Sequence, residues 1–232
     1  MLNEVLRSSR GPHLDLSPLF PEGVFAFLTL RGFNGTDPED LQGLLGEMGL
    51  PVRAVHRVEQ VHSATVADTS SAPCAADALV GTVRAEAVRV VTADCVPILL
   101  ASQDGSRYAA VHAGWKGTLA RIVQAAVRAM GADPSGMTAY IGPAVGPCCY
   151  AVDEARRALF ESEFPGWLSP PGSIPSLNLQ AINARQLAQA GVPLTAIHTE
   201  ARCTACEVDL CCSYRRDGDR AGRMAALIGR MA

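Results

Sequence analysis

The sequence predicts an α/β fold of one domain built on mixed β-sheets. Three observations lead there. Strand-patterned runs alternate loosely with helical-period stretches, several strand-like runs follow one another with no helix between them, and no Pro/Ser-rich or charged linker divides the chain. A chain of 232 residues that is 48% hydrophobic and 19% charged is long enough to bury a full core, so residues 1–232 read as one domain without internal repeats.

Gly23 to Leu30 (Gly-Val-Phe-Ala-Phe-Leu-Thr-Leu) is rich in β-formers and follows Pro21, which predicts the first strand. Asp37-Pro38-Glu39-Asp40 then supplies an N-cap, a proline for the first helical position and first-turn acids, and Gly49 stops that helix. Val52 to Val66 alternates as a strand carrying His56 and His62. Ala78–Val80, Val88–Thr92, Pro97–Ala101 and Tyr108–His112 are short apolar runs of strand type. From Thr118 to Met130 the period changes: Leu119, Ile122, Val123, Ala126, Val127 and Met130 form one helical stripe, ended by Gly131. Such a stripe faces a core, not a cofactor. Met137–Ile141 returns to strand. Asp153–Glu161 and Leu179–Ala190 read as helices, the second bounded by Asn178 and Gly191. Phe164 to Ser176, with four prolines and two glycines, reads as an irregular surface loop.

A net charge of −3 and a pI near 5.9 exclude a nucleic-acid backbone binder, which needs a basic face. Lys116 is the only lysine, a bias that reads as composition before function. Met1 to Arg7 lacks the apolar core of a signal peptide, and no stretch approaches the roughly 20 apolar residues of a membrane span, so the expected address is the cytoplasm. There, eight cysteines are thiols or ligands and not a disulfide framework.

The chemistry concentrates between Thr92 and Gly117. Thr92-Ala93-Asp94-Cys95-Val96-Pro97 and Val111-His112-Ala113-Gly114-Trp115-Lys116-Gly117 each place a reactive side chain at the edge of a predicted strand. Cys95 and His112 lie seventeen positions apart, too far for one local metal knuckle but suited to two neighbouring strands. The pair is either a Cys–His nucleophile dyad or two thirds of a catalytic zinc site. His62, in Glu59-Gln60-Val61-His62-Ser63, is by itself an ordinary structural histidine. Together His62, Cys95 and His112 offer two imidazoles and one thiolate, a set suited to Zn²⁺ that leaves a fourth position for water or substrate. Cys203-Thr204-Ala205-Cys206 with Cys211-Cys212 has zinc-knuckle spacing, to which Cys148-Cys149 could contribute. Cys74 belongs to no motif.

Gln60-Val61-His62, the Asp94-Cys95 and His112-Ala113-Gly114-Trp115 segments, Ile141-Gly142-Pro143-Ala144-Val145-Gly146-Pro147-Cys148-Cys149-Tyr150 and Ser213-Tyr214-Arg215-Arg216-Asp217-Gly218 run in order along most of the chain. Together they resemble successive motifs of the multicopper polyphenol oxidase/purine nucleoside phosphorylase family, which includes laccase domain-containing protein 1. The resemblance implies an α-β-β-α sandwich with mixed sheets, similar to that of toxin deamidases. It also implies zinc held by His62, Cys95 and His112, phosphorolysis of adenosine, inosine and methylthioadenosine, and adenosine deamination. It implies no metal at the remaining cysteines, which then read as packing or redox thiols. Two departures stand out. Arg31-Gly32-Phe33-Asn34-Gly35 runs almost directly into a helix where the family has a longer loop, and Cys211-Cys212 replaces common aromatic residues.

Deamination requires a carboxylate to move a proton. Asp94 is the nearest, although strand alternation turns it away from Cys95 unless the strand ends there, and Asp77 is the second candidate; both serve equally well as turn or cap carboxylates. Phosphorolysis requires an anion cradle, for which Lys116, Arg215 and Arg216 are the cationic candidates, with solvated surface charge as the alternative reading. Gly142-Pro143 and Gly146-Pro147 predict a tight loop. Five histidines cannot fill a multicopper set, which places a copper polyphenol oxidase low. A metal-free hydrolase or amidase with Cys95 as nucleophile and His112 as base, and a non-catalytic binding protein with structural zinc, complete the alternatives. The leading expectation is a zinc enzyme whose partners are purine nucleosides and phosphate.

Overall fold

The computed structural model describes residues 4–50, 52–168 and 175–232. In chain order its elements are β1 (Leu6–Ser8), β2 (Gly11–Asp15), β3 (Val24–Thr29), α1 (Pro38–Glu47), β4 (Ala54–Arg57), β5 (Val66–Asp68), β6 (Ala78–Gly81), β7 (Glu86–Thr92), β8 (Val96–Ala101) and β9 (Tyr108–Ala113). There follow α2 (Trp115–Leu119), α3 (Ile122–Met130), β10 (Thr138–Ile141), α4 (Glu154–Glu163), α5 (Leu179–Gln189), β11 (Ile197–Thr199), α6 (Tyr214–Asp217) and β12 (Met224–Arg230). The strands form two six-stranded sheets, ordered β1-β2-β3-β12-β7-β4 and β11-β10-β8-β9-β6-β5. Both are mixed: β4 runs parallel to β7, and β5 and β11 run parallel to β6 and β10, while the other pairs are antiparallel.

Sequence alternation explains the layering. In β8, Leu99 and Ala101 face inward and pack with Ala110 against Leu28, Val88, Val90, Ala226 and Ile228 of the other sheet. Ile98 and Leu100 face the opposite way, against Ile122, Val123, Ala126, Met130, Phe160 and Leu187 of the covering helices. On the far side of the first sheet, α1 seats Leu41, Leu44 and Leu45 on Phe25, Phe27, Ala87 and Leu227. The order is helix, sheet, sheet, helix, the expected sandwich. Strands covered on both faces read as continuous apolar runs, as β3, β8 and β9 do, with every residue buried.

The helix boundaries follow their capping residues. Asp37 accepts from Glu39 N ahead of Pro38, and Asn178 accepts from Ala181 N at the start of α5. The helix expected over Thr118–Met130 is instead two. Gln186 of α5 donates to the Thr118 carbonyl (2.8 Å) and Asn183 to its hydroxyl (2.9 Å), and the chain turns at Arg121 (φ +61°) before α3 begins. The expected strand Val52–Val66 is also broken: β4 ends at Arg57, β5 starts in the other sheet at Val66, and His62 lies in the connection between them. Part of the expected loop Phe164–Ser176, residues 169–174, lies outside the described residues. Strands β1, β2, β11 and β12 are additions to the sequence reading. Among the described residues no helix is long and apolar enough to cross a membrane.

Candidate metal centre

Sheet register assembles the site. In the β8–β9 pair, Val96 lies opposite Ala113 and Pro97 opposite His112, so Cys95, immediately before β8, reaches the same end as His112. Strand β6 flanks β9 on its other side with Ala78 opposite Val111, which sets Asp77 beside His112; the His112 amide donates to the Asp77 carbonyl at 2.7 Å.

The buried Asp77 carboxylate organises the rest. It accepts from the backbone amides of Val61 (3.2 Å), His62 (3.0 Å) and Ser63 (2.6 Å), from the Ser63 hydroxyl (2.8 Å) and from His112 Nδ1 (2.8 Å). Three successive amides pointing at one carboxylate curl the chain around it and hold His62 at φ +60°. Gln60 fixes the start of this loop by exchanging two 2.8 Å hydrogen bonds with the Val91 backbone on β7. With Nδ1 of His112 engaged by Asp77, Nε2 is left for the site, an arrangement that fixes both ring orientation and tautomer.

The ligand atoms of His62, Cys95 and His112 lie within 4.8 Å of one another, and the two imidazoles meet edge to face at 82°. A tetrahedral cation with bonds of about 2.0–2.3 Å needs donors about 3.3–3.8 Å apart, so a small closure of this triangle seats one. Gly114 closes the floor: a Cβ there would stand 3.1 Å from both Cys95 Sγ and His62 Cδ2.

The electrostatics couple the three side chains. Burial raises the Cys95 thiol, but hydrogen bonds from His112 and His62 outweigh it and bring the group down to about 7. Burial lowers His112, yet Asp77 and the Cys95 sulfur raise it to about 9. Burial likewise raises Asp77, but the hydrogen bonds from His112 and Ser63 hold its carboxyl far below the usual carboxylate range. At neutral pH the metal-free trio therefore carries substantial thiolate–imidazolium character.

The trio opens into a cleft of about 920 Å³. Four arginines line it, Arg57, Arg156, Arg215 and Arg223, with Trp115, Tyr150 and Tyr214 as aromatic surfaces. Arg156 lies 4.5 Å over the Trp115 ring, and Arg215 lies 5.4 Å over Tyr150 while donating to the Ala151 carbonyl (2.9 Å).

The sequence candidates separate accordingly. His62, Cys95, His112, Asp94 and Arg215 line the cleft; Lys116 and Arg216 do not. Lys116 extends over its neighbour's indole, 5.7 Å from the Trp115 ring. Arg216 is committed to both Asp217 oxygens and to the carbonyls of Thr204, Ala205 and Cys211, which makes it a brace for this segment. The strand does end before Asp94: β7 stops at Thr92, and Asp94 adopts φ +90°. Its carboxylate then accepts from the Thr204 hydroxyl (2.5 Å) and the Arg215 amide (2.6 Å), so it anchors the cleft wall. Asp77 faces the back of His112 and not the cleft. Arg57, Arg156 and Arg223 were missed by sequence reasoning because none stands in a motif; only the fold gathers them.

Residues 38–231 match the family described as multi-copper polyphenol oxidoreductase laccase. The chain belongs to this family. Among its relatives, the purine nucleoside phosphorylase YlmD of Geobacillus stearothermophilus is 34% identical, the alignment covering 90% of this chain and 85% of that one. The purine nucleoside phosphorylase Cgl2154/cg2365 of Corynebacterium glutamicum is 36% identical, with 89% and 88% covered. The crystal structure of YlmD from G. stearothermophilus superimposes with a TM-score of 0.83 at 30% identity, over 98% of this chain and 99% of that one. The family description names copper, but of the five histidines only His62 and His112 share a site. His56 bonds to Glu86 and His13 is buried against Phe27. The donors present fit one cation at this centre, and no histidine-rich copper cluster occurs among the described residues.

Proposed function

We propose that the whole chain forms one zinc-dependent purine nucleoside phosphorylase, with His62, Cys95 and His112 as the metal ligands. The observation that carries this reading is the convergence of two imidazoles and a thiol at the floor of a cleft walled by arginines. The relatives, named purine nucleoside phosphorylases, support the substrate class. Adenosine, inosine and methylthioadenosine are the nucleosides to test.

In phosphorolysis a phosphate oxygen forms a bond to C1′ of the ribose, the C1′–N9 bond breaks, and its electron pair leaves with the base, which takes up a proton. Zinc, when bound, supplies Lewis acidity toward a substrate oxygen or nitrogen. Arg215 and Arg156 are the preferred phosphate contacts, because guanidinium forks match phosphate oxygens and both are oriented by aromatic neighbours. Trp115 and Tyr150 offer apolar surface to the purine. Asp77 acts through His112, whose ring it orients. Deamination fits less well, because Asp94 is engaged by Thr204 and Arg215 and Asp77 faces away from the cleft.

The test is chromatography of zinc-loaded protein incubated with adenosine, with and without phosphate, beside Cys95→Ala. The expected result is phosphate-dependent adenine and ribose 1-phosphate, absent from a folded Cys95→Ala variant. Phosphate-independent turnover that survives complete metal removal would instead favour the Cys95–His112 hydrolase.

A further inference from the structure

A second cluster of metal-binding character lies outside the His62–Cys95–His112 centre. Cys148 and Cys149 follow the Gly142–Pro147 loop, and Cys203 and Cys206 flank a tight turn in which the Cys206 and Glu207 amides both donate to the Cys203 carbonyl (3.1 and 3.0 Å). A parallel bridge between Ala144 and Cys203, with Thr204 N donating to Ala144 O at 3.0 Å, brings the two segments together. All four sulfurs lie within 4.8 Å of one another. We propose that Cys148, Cys149, Cys203 and Cys206 form a tetrathiolate site for one thiophilic divalent cation, Zn²⁺, that clips these segments together behind the cleft.

Three observations support the site. The first is spacing. Zinc–thiolate bonds of about 2.3 Å in a tetrahedron set sulfurs about 3.8 Å apart, and Cys206 Sγ stands 3.7 Å from Cys148 Sγ and 3.5 Å from Cys149 Sγ. The second is exposure. Cys148 and Cys206 are open to solvent, so they do not serve as small apolar side chains. Cys211 and Cys212 do: both are buried in the core between the sheets, outside this cluster. The third is the cradle. The Gly146 amide donates to Cys203 Sγ at 3.2 Å, and a Cβ on Gly146 would meet Cys203 Cβ at 3.2 Å and the sulfurs of Cys148 and Cys203 at 3.5 Å. An amide directed at sulfur is the support a thiolate ligand receives. On binding, each thiol proton passes to solvent and four Zn–S bonds form, with no change of oxidation state.

The site bears on the cleft through its neighbours. Val145 and Tyr150, on one clipped segment, line the cleft, and Val145 N donates to Asp94 O at 3.0 Å. Thr204, on the other, holds the Asp94 carboxylate. The clip is therefore structural support for the wall that carries Arg215.

The measurement is zinc content by mass spectrometry, after gel filtration with a phosphine reductant, in the wild type, Cys95→Ala, Cys206→Ser and the double variant. Cys95→Ala removes a ligand of the first centre, so the proposal expects one tightly held zinc in that variant and none in the double variant, whatever the fate of nucleoside turnover. Should Cys206→Ser misfold, alkylation mapping of the Cys95→Ala protein decides. Zinc should shield Cys148, Cys149, Cys203 and Cys206 from iodoacetamide at least tenfold, and chelation should reverse this. A zinc-free Cys95→Ala protein, equal labelling with and without zinc, or disulfides joining these four cysteines under reductant would overturn it.

Discussion

Asp77 offers the sharpest test of the site, because one buried carboxylate holds two of the three candidate ligands. Asp77→Asn keeps the shape and changes two acceptor atoms into one acceptor and one donor group. The Oδ1 position receives His62 N and His112 Nδ1; the Oδ2 position receives Val61 N, Ser63 N and the Ser63 hydroxyl. Wherever the amide NH₂ is placed, it faces at least one backbone N–H that has no other partner there. Hydrogen bonds to a charged group contribute about 1.5–3 kcal/mol each, and a buried donor left unpaired costs about 1–3 kcal/mol. A loss of about 3–5 kcal/mol follows, of the size found when one member of a buried ion pair is removed. At about 2–4 °C per kcal/mol for a chain of this length, 3 kcal/mol lowers Tm by roughly 6–12 °C. If NH₂ faces His112, the imidazole moves its proton to Nε2 and loses that nitrogen as a ligand; losing such an outer partner lowers metal affinity about 10–100-fold. Calorimetric unfolding and zinc competition against a chromophoric chelator read the two effects separately. An Asp77→Asn protein that melts with the wild type and holds zinc equally well would refute the role given to Asp77.

Four further outcomes are expected. Gly114→Ala, whose Cβ would stand 3.1 Å from Cys95 Sγ and His62 Cδ2, should weaken zinc binding while circular dichroism stays native. Arg215→Gln should raise KM for phosphate about 10–100-fold, in line with a charged hydrogen bond of about 1.5–3 kcal/mol, whereas Arg216→Gln should lower Tm without a phosphate-specific effect. In metal-free protein, Cys95 alkylation should rise with pH around a midpoint of about 7, since the thiolate is the nucleophile and His112 and His62 lower the group toward that value. Gly81→Ala would drive a Cβ into the buried Tyr108 ring, which is tied to the Val83 and Glu86 carbonyls, so overpacking should cost about 1–3 kcal/mol by denaturant titration.

What the sequence discloses depends on how local the cause is. Cys95 and His112 were legible because each stands at the margin of an apolar run, and adjacent strands bring such margins together. The caps of α1 and α5 were legible for the same reason. His62 is legible as a candidate ligand but reads as a strand residue, because the alternation from Val52 to Val66 continues across a connection whose shape is imposed by Asp77, fifteen positions after His62. The break between α2 and α3 was hidden likewise, since the groups that end α2 are Asn183 and Gln186, far along the chain. Strand β12 carries Ala, Leu, Ile and Gly without a period, yet it pairs with both β3 and β7; burial on both faces removes the pattern that reveals a strand. Of the arginine wall only Arg215, in the Ser213–Gly218 motif, is legible; Arg57, Arg156 and Arg223 come from β4, α4 and the approach to β12 and share no sequence signature.

The choice between a metal centre and a Cys–His nucleophile turns on His62. A nucleophilic cysteine needs one base, and His112, raised to about 9 and oriented by Asp77, meets that need alone. In the dyad a second imidazole would serve only to stabilise the thiolate further. Yet the chain holds His62 at φ +60°, where a non-glycine residue costs on the order of 1 kcal/mol or more, and three consecutive amides on Asp77 stabilise that conformation. The same carboxylate orients the ring of His112. One buried anion thus aims two imidazoles at one sulfur, and Gly114 clears the space beneath them. Two nitrogens and a sulfur gathered at one end of the sheet are the donor set the proposed metal reading requires, and all three line the arginine-walled cleft.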